Sequence, residues 1–365
     1  MRKSLQINVG GVKIGGSAPV AVQSMTNTDT RDAQATLAQI SRLAEAGCEI
    51  VRVAVPDAAA SKVLSAICLA SPLPVIADIH FDHKLALASI AAGVSGLRIN
   101  PGNIGSEQAV DAVSKAAAER NIPLRIGVNS GSVEKELLRR FGGPTPEAMV
   151  ESALGHVRLL EKRNFYNLKI SIKSSSVPDT VAAYRMLAEK CDYPLHIGIT
   201  EAGTLLRGAV KSAVGLGILL SQGLGDTIRV SLTHDPVREV EVAWEILRSL
   251  SLRARGPEII SCPTCGRTEI DLISLATQVE ERLAGVKEVF TLAVMGCVVN
   301  GPGEAKEADL GIAGGRGKGV IFRKGEMTRS VVGGTAELLE ALLQEVQLFL
   351  QERQVPCHAS PVVPA

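Results

Sequence analysis

Eight short apolar runs recur between residues 20 and 233, and each contains β-branched side chains. Continuous apolar runs of this length are typical of strands that are buried on both faces, as in parallel sheets. The starts of the runs lie 22 to 44 residues apart, which leaves room for a strand, a helix and two loops. The predicted strands are 20–24, 50–55, 74–79, 96–100, 124–129, 168–174, 195–200 and 227–233.

The segments between these runs carry signals of helix starts and ends. Asp82, Thr145 and Asp235 each stand directly before such a segment, and proline follows the last two. Side-chain oxygens of Asp and Thr cap helix N-termini, and proline fits the first helical turn. A helix predicted at 35–46 ends before Gly47, the residue type that is favoured after a helix C-terminus.

Alternating strands and helices predict the α/β class with a parallel sheet. Eight such units predict a closed (β/α)8 TIM barrel, and the alternative is an open, doubly wound sheet. Residues 6–16 alternate apolar and polar side chains around a pair of glycines. We expect this segment to form a short hairpin that covers the bottom of the barrel.

The pattern changes after residue 253. Residues 253–258 (RARGPE) are polar and contain glycine and proline, as linkers do. Beyond them we predict a smaller α/β domain, with helices at 269–284 and 336–351 and strands at 289–294, 310–313 and 319–323. The predicted domains are 1–253 and 254–350, followed by a flexible tail over 351–365.

Composition narrows the class of protein. Hydrophobic residues make up 46% of the chain and charged residues 21%, which excludes a disordered or collagen-like protein. A net charge of +1 and an aromatic content of 3% give no sign of nucleic-acid binding. The N-terminus lacks the apolar core of a signal peptide, and no apolar run reaches about 18 residues. We therefore expect a soluble, cytoplasmic protein that binds neither nucleic acid nor membranes.

Basic side chains interrupt the predicted strands toward their carboxyl ends, where the active sites of (β/α)8 barrels lie. A charge buried in a strand is costly without a partner, and we expect Asp78 and Glu201 to pair with two of the cations. Arginine forks match phosphate oxygens, so the remaining cations predict a phosphate or diphosphate ligand. The five cations are Arg52, Arg98, Arg125, Lys173 and Arg229.

Other polar residues fall at the same strand ends. Glu201 follows its strand directly and is the candidate for general acid/base catalysis. We expect His80 either to touch the substrate or to pack behind it, and we interpret His196, early in its strand, as structural. The candidate hydrogen-bonding groups are Asn129, Thr200 and Ser231.

Seven cysteines, an odd number, favour metal or redox chemistry over a disulfide framework. Cys262 and Cys265 form a CxxC loop, and Cys297 follows a glycine. Three thiolates fit a [4Fe–4S] cluster whose remaining iron has another ligand, and Glu304 on the same loop as Cys297 is the candidate. A structural zinc site and a redox-active cysteine pair are the alternatives.

Several motifs together resemble the iron–sulfur enzyme family of (E)-4-hydroxy-3-methylbut-2-enyl diphosphate synthase. The runs CPTCGR at 262–267 and MGCVVNGPGE at 295–304 carry the resemblance in the second domain. The barrel segment is similar to the same family through VQSMTNTDT, VRVAVP, ADIHFD, LRINPGNIG, LRIGVNSGS and ITEAG. The resemblance extends over about residues 5–350 and is to the compact bacterial form with two domains.

The resemblance implies a reaction, a cofactor and partners. The reaction is the two-electron reductive ring opening of 2-C-methyl-D-erythritol 2,4-cyclodiphosphate, with loss of water, in isoprenoid biosynthesis. Flavodoxin or ferredoxin would supply the electrons, and the enzyme would be a head-to-tail homodimer. By the same resemblance, the ligands of a [4Fe–4S] cluster would be Cys262, Cys265, Cys297 and Glu304.

The resemblance also implies roles for residues of the substrate site. Glu201 would be the acid/base, and Asn300 would lie beside the cluster. Hydrogen bonds to the substrate would come from Asn129 and Ser231, and Asp78, His80 and Thr200 would complete the site. The diphosphate would be held by Arg52, Arg98, Arg125 and Lys173.

Two other classes of protein fit part of this pattern. A phosphosugar lyase or aldolase barrel with a structural zinc module would use Lys173 to form a Schiff base with a carbonyl substrate. An iron–sulfur carrier or regulatory protein would share the cysteines, but it would not need five cations at the strand ends.

Overall fold

The computed structural model describes residues 2–100, 106–297 and 306–354. The chain divides into two units, Met1–Ala254 and Arg255–Ala365, and each is described by itself. Within the described ranges, no helix is both long enough and apolar enough to cross a membrane.

The first unit is a closed barrel of eight parallel strands. They follow one another around the barrel in the order β8-β7-β6-β5-β4-β3-β10-β9, and an Ile170–Leu195 bridge joins β8 to β9. The predicted (β/α)8 barrel is confirmed, and the open sheet is wrong. The strands are β3 (Ala21–Met25), β4 (Ile50–Ala54), β5 (Val75–Asp78), β6 (Gly96–Ile99), β7 (Leu124–Asn129), β8 (Leu168–Lys173), β9 (His196–Ile197) and β10 (Thr227–Ile228).

The last two barrel strands are shorter than the sequence predicts. The runs 195–200 and 227–233 form regular strand only over two residues each. Gly198 follows β9, and glycine weakens a strand interior because it has no side chain to pack. The Arg229 N–H still donates to the Ile197 carbonyl at 3.0 Å, so the two segments of the chain remain adjacent beyond the regular strands.

Helices connect the strands, and their caps follow the predicted signals. The side-chain oxygens of Asp82, Thr145 and Asp235 accept N–H bonds in the first turns of their helices. Gly47 ends the first helix with a φ of 100°, which glycine adopts without strain. The helices are α1 (Ala33–Ala46), α2 (Ala58–Ala70), α3 (His83–Ala91), α4 (Glu107–Glu119), α5 (Lys135–Phe141), α6 (Pro146–Glu161), α7 (Val177–Lys190), α8 (Leu205–Ser221) and α9 (Pro236–Ser249).

The predicted N-terminal hairpin is present and packs at the amino ends of the barrel strands. Its strands, β1 (Ile7–Val9) and β2 (Val12–Ile14), pair in antiparallel fashion. Apolar hairpin side chains form one buried cluster with the first inward-facing side chains of β3, β4 and β5. This barrel floor consists of Ile7, Val9, Ile14, Ala21, Ile50 and Ile76.

Over its described residues, the second unit has a five-stranded sheet with two helices packed on it. Its strands are β11 (Glu258–Ser261), β12 (Thr291–Met295), β13 (Leu310–Gly315), β14 (Lys318–Arg323) and β15 (Glu326–Val332). The strands lie side by side in sequence order. The β11–β12 and β12–β13 pairs are parallel, and the β13–β14 and β14–β15 pairs are antiparallel. The helices are α10 (Leu272–Leu283) and α11 (Thr335–Gln354).

Three features of this unit correct the sequence prediction. The sheet has two outer strands that were not predicted, β11 and β15, because most of their residues are exposed and give no apolar run. The predicted linker 253–258 therefore overlaps the start of a strand. The predicted tail begins too early, since helix α11 continues to Gln354; the remainder, 355–365, lies outside the described residues.

Candidate active site

A cavity of about 160 Å³ lies at the carboxyl ends of the barrel strands. It brings together nine of the ten predicted substrate-binding residues, and Asn300 lies outside the described residues. Gly127, Ser171 and Arg229 complete the lining. The nine are Arg52, Asp78, His80, Arg98, Arg125, Asn129, Lys173, Thr200 and Ser231.

Strand register explains why side chains so distant in sequence meet. Arg98 stands opposite Asp78 on one side and Arg125 on the other, and Asn129 stands opposite Lys173. Because side chains alternate across a strand, each of these residues faces the barrel interior. Glycine provides room for the large groups: a Cβ at Gly127 would lie 2.8 Å from Arg98 Nε.

Asp78 is the central carboxylate of the cavity. It lies 3.1 Å from Arg98 Nη1 and 3.4 Å from Arg52 Nε, and all three side chains are buried. Burial by itself would raise the pKa of Asp78, but the charges of Arg52 and Arg98 outweigh it and lower the pKa to about 2. Asp78 therefore remains a carboxylate at neutral pH. Its predicted pairing with a cation is confirmed, and it holds two arginines rather than one.

Glu201 pairs with no cation of the described part of the chain, contrary to expectation. The second pairing carboxylate is Glu239, whose Oε2 lies 3.8 Å from Arg229 Nε. Among the described residues, Glu201 takes part in no salt bridge; its side chain is exposed, and it is outside the cavity lining. Its φ of 51° is left-handed, which costs a non-glycine residue about 1–2 kcal/mol and turns the chain away from the strand direction.

Sequence reasoning missed Glu239, which α9 supplies. Its carboxylate accepts bonds from the Ser24 hydroxyl at 3.0 Å and the Leu232 N–H at 2.9 Å. Glu239 is buried on the same helix face as Val240, Ala243 and Leu247. A charged residue at an apolar helical position was the signal that could have revealed it.

The cations outnumber the carboxylates that pair with them. Arg125 Nε and Nη1 are buried and have no hydrogen-bond partner in the part of the chain that the structure describes. Burial, followed by the charges of Arg52 and Arg98, lowers the pKa of Arg125. Burial and the charge of Arg229 likewise hold the pKa of Lys173 well below its usual value. A bound anion would offset the repulsion between these cations and so raise the pKa of both Arg125 and Lys173.

Arg52 has a weakly bound partner that a ligand can replace. Arg52 Nε and Nη2 lie 3.1 and 2.9 Å from the Met25 sulfur, a weak acceptor that a phosphate oxygen can replace.

His80 is exposed, and its Nε2 lies 3.2 Å from Arg98 Nη1. Partial desolvation of the ring and the charge of Arg98 lower the pKa of His80 despite the opposing charge of Asp78.

His196 belongs to the barrel interior rather than the cavity lining, as predicted. It is completely buried, and its Nδ1 lies 2.7 Å from the Thr227 hydroxyl. Burial and the nearby charges of Arg125 and Lys173 lower its pKa well below the usual value.

In the second unit, the predicted cysteine ligands lie at one edge of the sheet. Cys262 follows β11 and Cys297 follows β12, and these neighbouring strands are parallel, with Ser261 opposite Val294. Cys262 and Cys265 flank the loop that leaves β11. The Gly296 N–H lies 3.4 Å from Cys262 Sγ, and the Cys265 thiol has its pKa lowered by hydrogen bonds from Arg267.

This donor set fits an iron–sulfur cluster. Among the described residues, no three His, Cys, Asp or Glu side chains converge closely enough to hold one metal ion. A cluster places each thiolate on a different iron, so it does not need that convergence. A backbone N–H directed at a sulfur and an acidic thiol are features that stabilise thiolate ligands. Glu304, the fourth predicted ligand, lies outside the described residues.

A cationic cavity at the mouth of a (β/α)8 barrel defines the class of barrel enzymes that act on anionic substrates. Residues 4–244 match the model of the GcpE TIM-barrel domain, and residues 258–348 match the GcpE protein C-terminal domain. The chain belongs to the GcpE family.

Two relatives match this chain over almost their full length. A protein of Maridesulfovibrio salexigens is 68% identical over 97% of this chain and 98% of its own length. One of Lawsonia intracellularis is 64% identical over 96% of this chain and 98% of its own length. Both are named 4-hydroxy-3-methylbut-2-en-1-yl diphosphate synthase (flavodoxin). Among solved structures, a Yersinia pestis dihydropteroate synthase aligns with a TM-score of 0.49 at 14% identity, over 68% of this chain and 99% of that one.

Proposed function

We propose that this protein catalyses the reductive ring opening of 2-C-methyl-D-erythritol 2,4-cyclodiphosphate to (E)-4-hydroxy-3-methylbut-2-enyl diphosphate. Two electrons and two protons enter, and one water leaves. The reaction belongs to isoprenoid biosynthesis, and we place it in the cytoplasm. The observation that carries the proposal is the charge of the cavity: five cations face two carboxylates, Asp78 and Glu239, among the described residues.

The cations supply the binding energy for the diphosphate. Arg98, Arg125 and Lys173 occupy adjacent strands and line the same cavity, where arginine can bind phosphate oxygens in a bidentate fashion. Asp78 holds Arg52 and Arg98 in place before the substrate arrives. Because these side chains are already ordered, little conformational entropy is lost on binding. Asn129, Thr200 and Ser231 would complete the hydrogen bonds.

Glu201 is our candidate for moving a proton in the reaction. Its exposed carboxylate lies one residue after Thr200, a cavity residue, and its left-handed backbone is the kind of strain that concentrates at functional sites. Replacement by Gln keeps the shape and removes the titratable group. We expect Glu201→Gln to bind substrate and cluster normally but to slow turnover at least ~100-fold. Turnover close to that of the unmodified protein would eliminate this role.

A [4Fe–4S] cluster held by Cys262, Cys265, Cys297 and Glu304 would supply the two electrons, one at a time. Asn300 would lie beside it. We propose flavodoxin as the donor, which the relatives' names support, with ferredoxin as the alternative. We also propose a head-to-tail homodimer, for which the family resemblance is the support.

The experiment is anaerobic purification, metal analysis and a turnover assay with reduced flavodoxin. We expect about four irons and four sulfides per chain, broad visible absorbance, and formation of the linear diphosphate. Stoichiometric zinc in a colourless protein, together with a carbonyl substrate trapped on Lys173 by borohydride, would instead establish the phosphosugar lyase or aldolase. A cluster without diphosphate binding would indicate the carrier.

A further inference from the structure

Strand β8 carries a second lysine, which lies deeper in the barrel than the cavity. Lys169 is on β8, four residues before Lys173, and alternation places both on the inward face. Lys173 lines the cavity, whereas Lys169 is outside its lining and is only 2% exposed. In the strand register Lys169 stands directly opposite Arg125, which does line the cavity.

Lys169 has no direct partner for a positive charge among the described residues. Its Nζ is buried and has no hydrogen-bond partner within residues 2–100, 106–297 and 306–354. The nearby cations Arg125 and Arg52 repel a charge there. An ammonium group in this position is therefore costly unless negative charge comes close.

The other titratable groups facing Lys169 do not remove this cost. Asp226 attracts the ammonium, but its two oxygens already accept bonds from the Ser4 hydroxyl at 2.6 Å and the Leu195 N–H at 2.7 Å. Burial also raises the pKa of Asp226. His196 on the neighbouring strand is neutral, as described above. Apart from the cost of burial, the protonation of Lys169 therefore depends on the charges of Arg125 and Arg52.

Those two arginines are the groups whose charge a diphosphate would offset. Burial, with the charges of Arg125 and Arg52, lowers the pKa of Lys169 to about 7. At pH 8 the amine is thus mostly uncharged in the free protein. Binding of an anion to the arginines removes their repulsion and shifts the pKa toward the ordinary lysine value of 10.5.

We propose that Lys169 takes up a proton from solvent when the diphosphate binds, so that an ammonium behind Arg125 supports the bound anion. The inference rests on the proposed function. Lys169 is a positioning residue, because it acts on the substrate through Arg125. The substrate itself does not complicate the titration, since each phosphorus of a cyclic diphosphate carries a single, strongly acidic oxygen.

Isothermal titration calorimetry tests this proton uptake. Oxidised holoenzyme without reductant is titrated with the cyclic diphosphate at pH 8, in buffers of different ionisation enthalpy. We expect net uptake of about one proton or more, falling as the pH is lowered to 6, where Lys169 is already charged. Affinity should decrease as the pH rises above 7, by up to tenfold per pH unit from this group.

Lys169→Met isolates the contribution of Lys169 from that of Lys173. We expect uptake to fall by about one proton, with a correspondingly flatter pH dependence of Kd. Lys115→Met, at an exposed position on α4, is the matched control and should behave like the unmodified protein. If Lys169→Met does not fold, Lys169→Gln replaces it.

Three results would be decisive against parts of the account. Binding without proton uptake by the unmodified protein at pH 8 refutes the proposal. Equal uptake by the Lys169 variant and the unmodified protein also refutes it, even if the variant binds more weakly, because a structural role alone would not change the proton count. Failure of the unmodified protein to bind the cyclic diphosphate refutes the proposed function instead.

Discussion

The two ends of the barrel interior are built from the same strands but have opposite chemistry. Ile50 and Ile76 face inward at the floor, and two residues later on the same faces stand Arg52 and Asp78 at the mouth. The floor is apolar and covered by the hairpin. The mouth contains buried cations in excess of their partners. Apolar burial at the floor stabilises the fold, whereas the mouth stores unbalanced charge that only a ligand relieves.

This comparison predicts opposite responses to substitution at the two ends. A change at the floor should alter stability and leave substrate affinity alone. A change among the cations of the mouth should alter affinity and leave stability equal or improved. Asp78 is the exception, since it is both part of the mouth and the partner of two buried charges.

The largest expected effect is the loss of Asp78. Asp78→Asn leaves Arg52 and Arg98 buried without their carboxylate, and breaking a buried ion pair from one side costs about 3–5 kcal/mol. Urea denaturation would measure the loss in the free energy of unfolding. The matched control is Asp29→Asn, which removes an exposed pair with Arg31 and should leave the free energy of unfolding nearly unchanged. Equal stability of the two variants would contradict the account.

The floor gives the next largest effect. Ile14 is completely buried in the floor cluster, and Ile14→Ala should reduce the free energy of unfolding by about 3 kcal/mol through lost burial and a cavity. Ile273→Ala, at an exposed position, serves as the control and should cost little. The Kd for the cyclic diphosphate should be unchanged in both. A weakened Kd in Ile14→Ala would show that the two ends are not independent.

Substitution of a mouth cation should have the reverse signature. Arg125→Met removes a buried cation that has atoms without a partner among the described residues, so we expect binding to weaken ~100-fold. The midpoint of thermal unfolding should stay equal or rise, because repulsion from Arg52 and Arg98 is relieved. Arg139→Met, an exposed change, should affect neither quantity. A large loss of stability with unchanged affinity would reverse the roles that we assign to the two ends.

The smallest effect comes from a single methyl group at the mouth. A Cβ at Gly127 would lie 2.8 Å from Arg98 Nε, so Gly127→Ala must displace that guanidinium. We expect roughly tenfold weaker substrate binding, because Arg98 would still contact the substrate but from a displaced position. Gly131→Ala is the control, because a Cβ there meets nothing within 4 Å. Unchanged binding in Gly127→Ala would mean that the Arg98 position is not critical.

The sequence predicts the barrel and its mouth well because both depend on periodicity. Apolar runs located β7 with both of its observed ends, and the basic residues inside such runs were expected at the barrel mouth as a group. The same logic fails where the pattern is weak. β11 and β15 are largely exposed, and exposed outer strands do not need an apolar run.

The errors at the site have a similar cause. Glu201 was expected to pair with a cation because it follows a strand, but position along the chain does not fix direction after a left-handed turn. Glu239, the carboxylate that does pair with Arg229, comes from a helix 38 residues later. Which carboxylate reaches a buried cation depends on how helix and barrel pack, and short-range sequence patterns do not encode that.

The most direct test of the central claim is a crystal structure of the oxidised protein with 2-C-methyl-D-erythritol 2,4-cyclodiphosphate. The account predicts diphosphate oxygens within hydrogen-bonding distance of Arg98, Arg125 and Lys173 at the barrel mouth. A diphosphate bound elsewhere on the protein, with these three side chains making no contact to it, would contradict the account.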